Sequence, residues 1–206
     1  MNKQYEYFHY LELVRILKKD GVAFKSRAVG ASEIAASNCA HAYTFHRNSI
    51  NIVTAFLDDY VSKTLSKVWV QLNFLNTQTD GEFRHVRMKI DTEDHKRASK
   101  VDRDKNESGW MSEIVGMLHD KPRKLRGDRV YSLYFEEAGS DPMLETAYVQ
   151  SEALVKIGGK RCGSRFVFGT GGDAGPALEA LKKMFYNPES FKVLPYKNNY
   201  SQDGKT

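Results

Sequence analysis

Apolar side chains recur near helical spacing over residues 5–19, at Tyr7, Phe8, Leu11, Val14, Ile16 and Leu17, and predict a first helix. Asp20-Gly21 ends that pattern, and Val22-Ala23-Phe24 is a short apolar run that predicts a strand. A tight segment from Lys25 to Ser32 then opens a small-residue helix from Glu33 to about Tyr43. Residues 49–56 (S-I-N-I-V-T-A-F) are rich in β-branched side chains and predict a second strand. Asp58 and Asp59 begin a long helix to about Asn76, with an apolar stripe at Tyr60, Val61, Leu65, Val68, Trp69 and Leu72. Two carboxylates there suit the positive end of the helix dipole. Strand, helix, strand, helix is the order of a parallel α/β sheet.

The signal weakens over residues 77–106. Phe83, Val86, Met88 and Ile90 partly alternate and admit a strand, whereas residues 91–105 carry charges of both signs and predict an exposed loop or frayed helix. Residues 109–118 (G-W-M-S-E-I-V-G-M-L) and 130–135 (V-Y-S-L-Y-F) predict further strands. A helix near 143–155, a strand at 165–168 and a last helix at 178–185 complete the pattern. With no internal repeat and no linker, the expectation is one domain over residues 1–206. The polar end K-N-N-Y-S-Q-D-G-K-T closes no element, and is expected to be the cut end of a longer chain.

Composition narrows the classes. The chain is 41% hydrophobic and 28% charged with net charge +5, a basic balance that permits a nucleic-acid partner without demanding one. No apolar run approaches a membrane span or a signal peptide, so a soluble intracellular protein is expected. Cys39 and Cys162 lie far apart without metal-type neighbours and read as free packing thiols of a reducing compartment. His41 and His46, five residues apart, are expected on different helix faces, with no third ligand nearby. Tyr5, Tyr7 and Phe8, and Trp69 and Trp110, are read as packing residues rather than base-stacking platforms.

The candidate chemistry lies at strand ends. Apolar strand, glycine turn and helix N-terminus form the geometry that holds a phosphate, with N–H groups and the helix dipole facing the anion. Against the phosphate-loop pattern G-x-x-x-x-G-K-[ST], K-S-R-A-V-G-A-S keeps Gly30 and Ser32, but has Lys25 at the first position and Ala31 in place of lysine. A lysine entering the loop at its start can still reach the same phosphates; Ser32 would offer a hydroxyl to Mg²⁺, and Arg27 would reach the terminal phosphate. Residues 130–135 end in Glu136-Glu137, two carboxylates at the tip of a parallel strand, where one can hold a metal shell and the other take a proton from water. Residues 165–168 run into G-T-G-G-D-A-G at the same edge. The segment K-P-R-K-L-R-G-D-R carries five basic residues in nine positions, Lys121, Arg123, Lys124, Arg126 and Arg129, and is a candidate phosphate- or DNA-facing loop.

In this order, K-S-R-A-V-G-A-S, Y-S-L-Y-F-E-E-A-G and F-V-F-G-T-G-G-D resemble the ATPase domain of the large terminase subunit, the motor that packages DNA into viral capsids. The first is similar to that family's deviant Walker A motif, the second to its Walker B strand and catalytic glutamate, the third to its coupling motif. The resemblance implies a P-loop NTPase (RecA-like) fold, a mainly parallel central sheet flanked by helices, with ATP and Mg²⁺ as cofactors. It implies a nucleotide site formed by Lys25, Ser26, Arg27, Ala28, Val29, Gly30, Ala31, Ser32 and Glu33, with Lys25 on the β- and γ-phosphates. Ser32 and Glu136 would be the metal ligands, Glu137 the general base, Arg27 a γ-phosphate sensor, and Gly169, Thr170 and Gly171 the coupling loop. The implied partners are double-stranded DNA, the portal protein, the small terminase subunit and further copies in a ring, in the host cell cytoplasm. Arg126 or Arg129 are candidates for an arginine acting across subunits. Glu136 stands where aspartate is commoner, and the family's C-terminal nuclease is not represented. The alternatives are a helicase-like or recombination P-loop ATPase, and an inactive nucleotide- or DNA-binding module marked by Ala31 and Glu136.

Overall fold

The computed structural model describes residues 3–25, 30–119, 129–171 and 175–196. Helix α1 (Lys3–Ile16) turns into strand β1 (Asp20–Lys25), followed by α2 (Ala31–Phe45), β2 (Ile50–Ala55) and α3 (Asp58–Gln78). Short antiparallel pieces come next, β3 (His95–Arg97) and a hairpin of β4 (Lys100–Val101) with β5 (Glu107–Ser108), before β6 (Glu113–Leu118). Then come β7 (Ser132–Phe135), a 3₁₀ turn (Ala138–Ser140), α4 (Leu144–Gln150) and a second 3₁₀ turn (Ser151–Val155). A hairpin of β8 (Lys156–Ile157) and β9 (Lys160–Arg161) leads to β10 (Ser164–Thr170), α5 (Pro176–Tyr186), α6 (Pro188–Phe191) and β11 (Val193–Tyr196).

Seven strands form one sheet in the order β11-β1-β10-β7-β2-β6-β3, and every pairing is parallel except β3 with β6. Successive strand residues point to opposite faces, and here both faces are covered. Ala23, Val53, Tyr134, Phe166 and Phe168 pack against α1, α2 and α3. Val22, Ile52, Leu133, Phe135 and Val167 pack against α4 and α5. This double burial is why the strands read as near-continuous apolar runs. The expected mainly parallel sheet flanked by helices is therefore the observed fold. Because the strands run in parallel, the C-terminal ends of β1, β10 and β7 stand side by side, with Lys25 opposite Thr170.

At the other edge of the sheet Asp20 is fully buried and holds Arg161 at 2.5 Å and Arg165 at 2.6 Å. In α1 and the turn after it, Tyr7, Leu11 and Val14 are buried whereas Phe8, Ile16 and Leu17 are exposed, so the packed stripe is narrower than the apolar pattern. The Tyr10 hydroxyl donates to the carbonyls of Leu194 at 2.6 Å and Val22 at 3.2 Å. Gly21 permits this approach, since a Cβ there would lie 2.6 Å from the Tyr10 hydroxyl.

Several expectations change. Residues 83–90 form no strand, only a single bridge from Arg87 to Ser99, because Val86 and Met88 are exposed and find no face to bury. Residues 91–105 contain β3 and β4 rather than a helix. The strand expected from residue 109 starts at Glu113, since Gly109 and Met111 take positive φ of 118° and 63°. The helix expected over 143–155 is α4 followed by a 3₁₀ turn, α2 begins at Ala31 and extends to Phe45, and α5 begins at Pro176. Edge strand β11 was not expected: Pro195 hides a strand signal, yet an edge position is where a ladder tolerates proline. Cys39 is a buried packing thiol, but Cys162 is exposed. Tyr7 is in the core, while Tyr5 is exposed; Trp69 and Trp110 pack against the core cluster.

Tyr10→Phe should lower stability by about 1 kcal/mol, the usual net worth of one buried hydrogen bond. Denaturant unfolding measures the loss, and faster amide exchange in β11 would place it at the sheet edge.

Candidate active site

The edge where β1, β10 and β7 end gathers six polar side chains. Lys25, the last residue of β1, places Nζ 2.8 Å from Glu137 Oε1. The other oxygen of Glu137 accepts from the Thr170 hydroxyl at 3.0 Å. Glu136 turns the other way, into the α2–α3 side. Its Oε2 accepts from Ser32 at 3.0 Å and its Oε1 from Thr64 at 2.7 Å. Both residues follow the end of β7, and Glu137 takes a left-handed φ of 46° that bends the chain and turns its side chain away from that of Glu136.

These two neighbouring carboxyls are tuned in opposite senses. Burial pushes Glu136 up to about 7, against the downward pull of the Thr64 and Ser32 hydroxyls and the Lys25 charge. Glu137 is only half-buried; desolvation raises it, but the Lys25 ammonium and the Thr170 hydroxyl outweigh that and hold it below its ordinary value. At neutral pH one carboxyl is poised between its two forms while the other is a carboxylate clamped to an ammonium.

Backbone proximity locks the arrangement. A Cβ on Gly139 would lie 2.1 Å from the Thr170 carbonyl oxygen, and a Cβ on Gly169 would lie 2.3 Å from the Gly139 nitrogen. Only glycine at both positions lets the turn after Glu137 lie directly on the end of β10. Gly30, with φ +80°, precedes α2, whose first turn holds Ala31, Ser32 and Glu33. A 15-residue helix starting there presents its first-turn N–H groups and its positive end toward the same edge.

Lys25, Ser32, Glu136, Glu137 and Thr170 are thus brought together, with Gly30, Ala31 and Gly169 shaping the backbone around them. Glu33 is not: its exposed carboxylate pairs with Lys67 of α3 at 3.2 Å. Gly171, the residue after β10, is exposed. Ser26, Arg27, Ala28, Val29, Arg123, Lys124 and Arg126 lie outside the described residues. Arg129 is exposed before β7, at the sheet edge opposite the site, so it serves no role within its own chain's site. His41 and His46 come together after all, ring centroids 5.5 Å apart, because His46 caps α2 in an extended conformation and helical phase no longer applies. Among the described residues no group of three or more His, Cys, Asp or Glu could hold a metal. Thr64 was missed; a threonine inside a helix carries no sequence signal for this role, which arises only from its burial against Glu136.

No protein-family model and no curated protein sequence matches the chain. Solved structures do. A variant of the ATPase domain of the large terminase from Thermus phage P74-26 matches with a TM-score of 0.62 at 17% identity, over 94% of this chain and 72% of that one. The fold is that of the phage large-terminase ATPase domain. The large terminase of a thermophilic bacteriophage in complex with ADP matches at TM-score 0.56 and 14% identity, over 95% of this chain and 44% of that one. The HK97 bacteriophage large terminase matches at 0.55 and 11%, over 90% of this chain and 37% of that one. The chain therefore spans less than half of those two terminases. Among the described residues no helix is long and apolar enough to cross a membrane.

Two outcomes follow from the geometry. Glu136 is raised to about 7 from its ordinary 4.5, so the folded state holds its proton more tightly. Its contribution to stability is full below 4.5 and is lost as pH rises through about 7. The parent should lose up to about 1.4 kcal/mol per pH unit in that window relative to Glu136→Gln, measured by denaturant unfolding at several pH values. Gly139→Ala should cost about 1–3 kcal/mol by overpacking against backbone and move Thr170 away from Glu137, visible in the unfolding midpoint and in the structure of the variant.

Proposed function

We propose that this chain is the ATP-hydrolysing motor part of a viral DNA-packaging terminase. The observation that carries the reading is the meeting of Lys25, Ser32, Glu136, Glu137 and Thr170 beside the N-terminus of α2, in a fold shared with terminase ATPase domains. The ADP complex of one such terminase supports a nucleotide as the ligand of this edge.

The donor set fits magnesium. That ion takes one or two protein oxygens and keeps waters and phosphate oxygens for the rest, and Ser32 and Glu136 already touch. When bound, it supplies positive charge against the β- and γ-phosphates. Loading the site requires Glu136 to give up its proton, so Mg²⁺ affinity rises with pH through about 7.

Lys25 and Glu137 act as a coupled pair. In the ion pair, the ammonium neutralises the carboxylate and holds it as a weak base. Phosphate oxygens compete for the ammonium; when Lys25 turns to them, Glu137 regains basicity and stands free to orient a water. That water attacks the γ-phosphorus, its proton passes to Glu137, and the bond to the β-phosphate oxygen breaks. Thr170 holds Glu137 from β10, so a change at the carboxylate is felt directly in the coupling segment. Double-stranded DNA as substrate track, the basic segment 121–129 as one contact, and assembly with portal, small subunit and further copies belong to the same reading.

Magnesium-dependent ATP hydrolysis by this chain, beside Lys25→Ala and Glu137→Gln, tests it. Each change should lower turnover by about 10²–10⁴, with Glu137→Gln still binding ATP. Tight binding without turnover in the parent favours a motor awaiting its neighbours or the inactive module. The absence of both binding and turnover in the parent sinks the reading.

A further inference from the structure

A second buried polar cluster stands beside the site. His119 follows β6 and is fully buried, as are Asp141 and Thr54. His119 Nε2 lies 2.5 Å from Asp141 Oδ2, and its Nδ1 lies 2.8 Å from the Thr54 hydroxyl at the end of β2. A carboxylate can only accept, so Nε2 carries the proton it shares. The same Thr54 oxygen lies 2.8 Å from the Met117 carbonyl, to which its one proton is donated. Every member is thereby tied to the ends of β2 and β6.

Asp141 is the knot of the turn that leaves Glu137. Its other oxygen accepts the Met143 N–H at 2.8 Å, its own N–H donates to the Ala138 carbonyl at 3.3 Å, and its carbonyl accepts from Leu144. Ser140 N–H donates to the Glu137 carbonyl at 2.9 Å. On the strand side, Glu136 N–H donates to the Thr54 carbonyl at 2.8 Å. The two-carboxyl segment is therefore fastened on both sides to the residues that hold His119. Its far side rests on Thr170 through Gly139. A buried His–Asp pair is poor evidence for stability, because apolar replacements of similar volume often serve the core as well. Its reach into this one turn points elsewhere.

We propose that His119 and Asp141 form one positioning unit for Glu137, clamping the turn after it to β2 and β6 and so fixing where its carboxylate stands. Neither touches the substrate. This rests on the ATPase reading above, in which Glu137 orients the attacking water.

The test uses His119→Phe, which keeps the volume and loses both contacts, His119→Gln, whose amide can still donate to Asp141, Asp141→Asn, and the double change His119→Phe with Asp141→Asn. Arg161→Ala, at the opposite sheet edge, is the stability control. His119→Phe should lower kcat by about 10²-fold, the effect of displacing a reacting group by about 1 Å, with the Kd for a non-hydrolysable ATP analogue unchanged. His119→Gln should recover most of that loss, and the double change should fall no further than His119→Phe alone. Amide exchange at Ser140, Asp141 and Met143 should quicken in His119→Phe and not in Arg161→Ala. An unchanged kcat overturns the proposal. So does Kd weakening in step with kcat, an equal kcat loss in Arg161→Ala, or unchanged exchange in the turn. A parent that neither binds nor hydrolyses ATP sinks the ATPase reading instead; there, and where the parent binds ATP without turnover, the exchange comparison, which needs no nucleotide, decides the clamp by itself.

Discussion

The left-handed turn at Glu137 is the constraint on which the candidate site depends. A strand alternates its side chains, so Glu136 and Glu137 cannot share a direction while the strand continues. Glu136, the first residue after β7, stays hydrogen-bonded to β2 through its N–H to Thr54 and enters the layer between α2 and α3, where Ser32 and Thr64 meet it. Glu137 takes φ 46° and delivers its carboxylate to Lys25 and Thr170. A left-handed non-glycine residue costs on the order of 1–2 kcal/mol, and the surroundings over-determine it. Glycines at 139 and 169 allow backbone against backbone, and the ion pair to Lys25 closes the front.

That geometry separates two electrostatic roles that one residue type could not otherwise divide. Burial makes the charge of Glu136 expensive and raises it toward neutrality, whereas the ammonium beside Glu137 keeps it ionised. A cation entering beside Glu136 meets a carboxyl ready to lose its proton. An anion drawing Lys25 away meets a carboxylate left ready to gain one. Two neighbouring glutamates differ because the fold gives them different neighbours.

Much of this is legible in the residues themselves. The apolar runs at 22–24, 130–135 and 165–168 carry parallel strands buried on both faces, and Lys25, Ser32, Glu136-Glu137 and Thr170 lie at their ends because ligands of parallel sheets lie there. The edges were less readable. Val86 and Met88 alternate as a strand would, yet stay exposed with no layer to cover them, and Pro195 conceals a strand that forms only because β1 offers it an open edge. Periodicity reports which side chains want burial, not whether a partner surface exists.

The chain's own order of residues set the strand-end chemistry, the glycine positions and the alternation that divides the two core layers. Those depend on local steric rules and on the two-residue period, both properties of neighbouring residues. The strand order β1-β10-β7 that brings Lys25, Thr170 and Glu137 into contact across 112 and 33 residues of chain arises only on folding. So do Thr64 beneath Glu136, the turning away of Glu33 to Lys67, and the pairing of His119 with Asp141. A hydroxyl on a helix or a histidine after a strand has no chemical partner until the packing of layers supplies one, and long-range packing leaves no mark in local sequence.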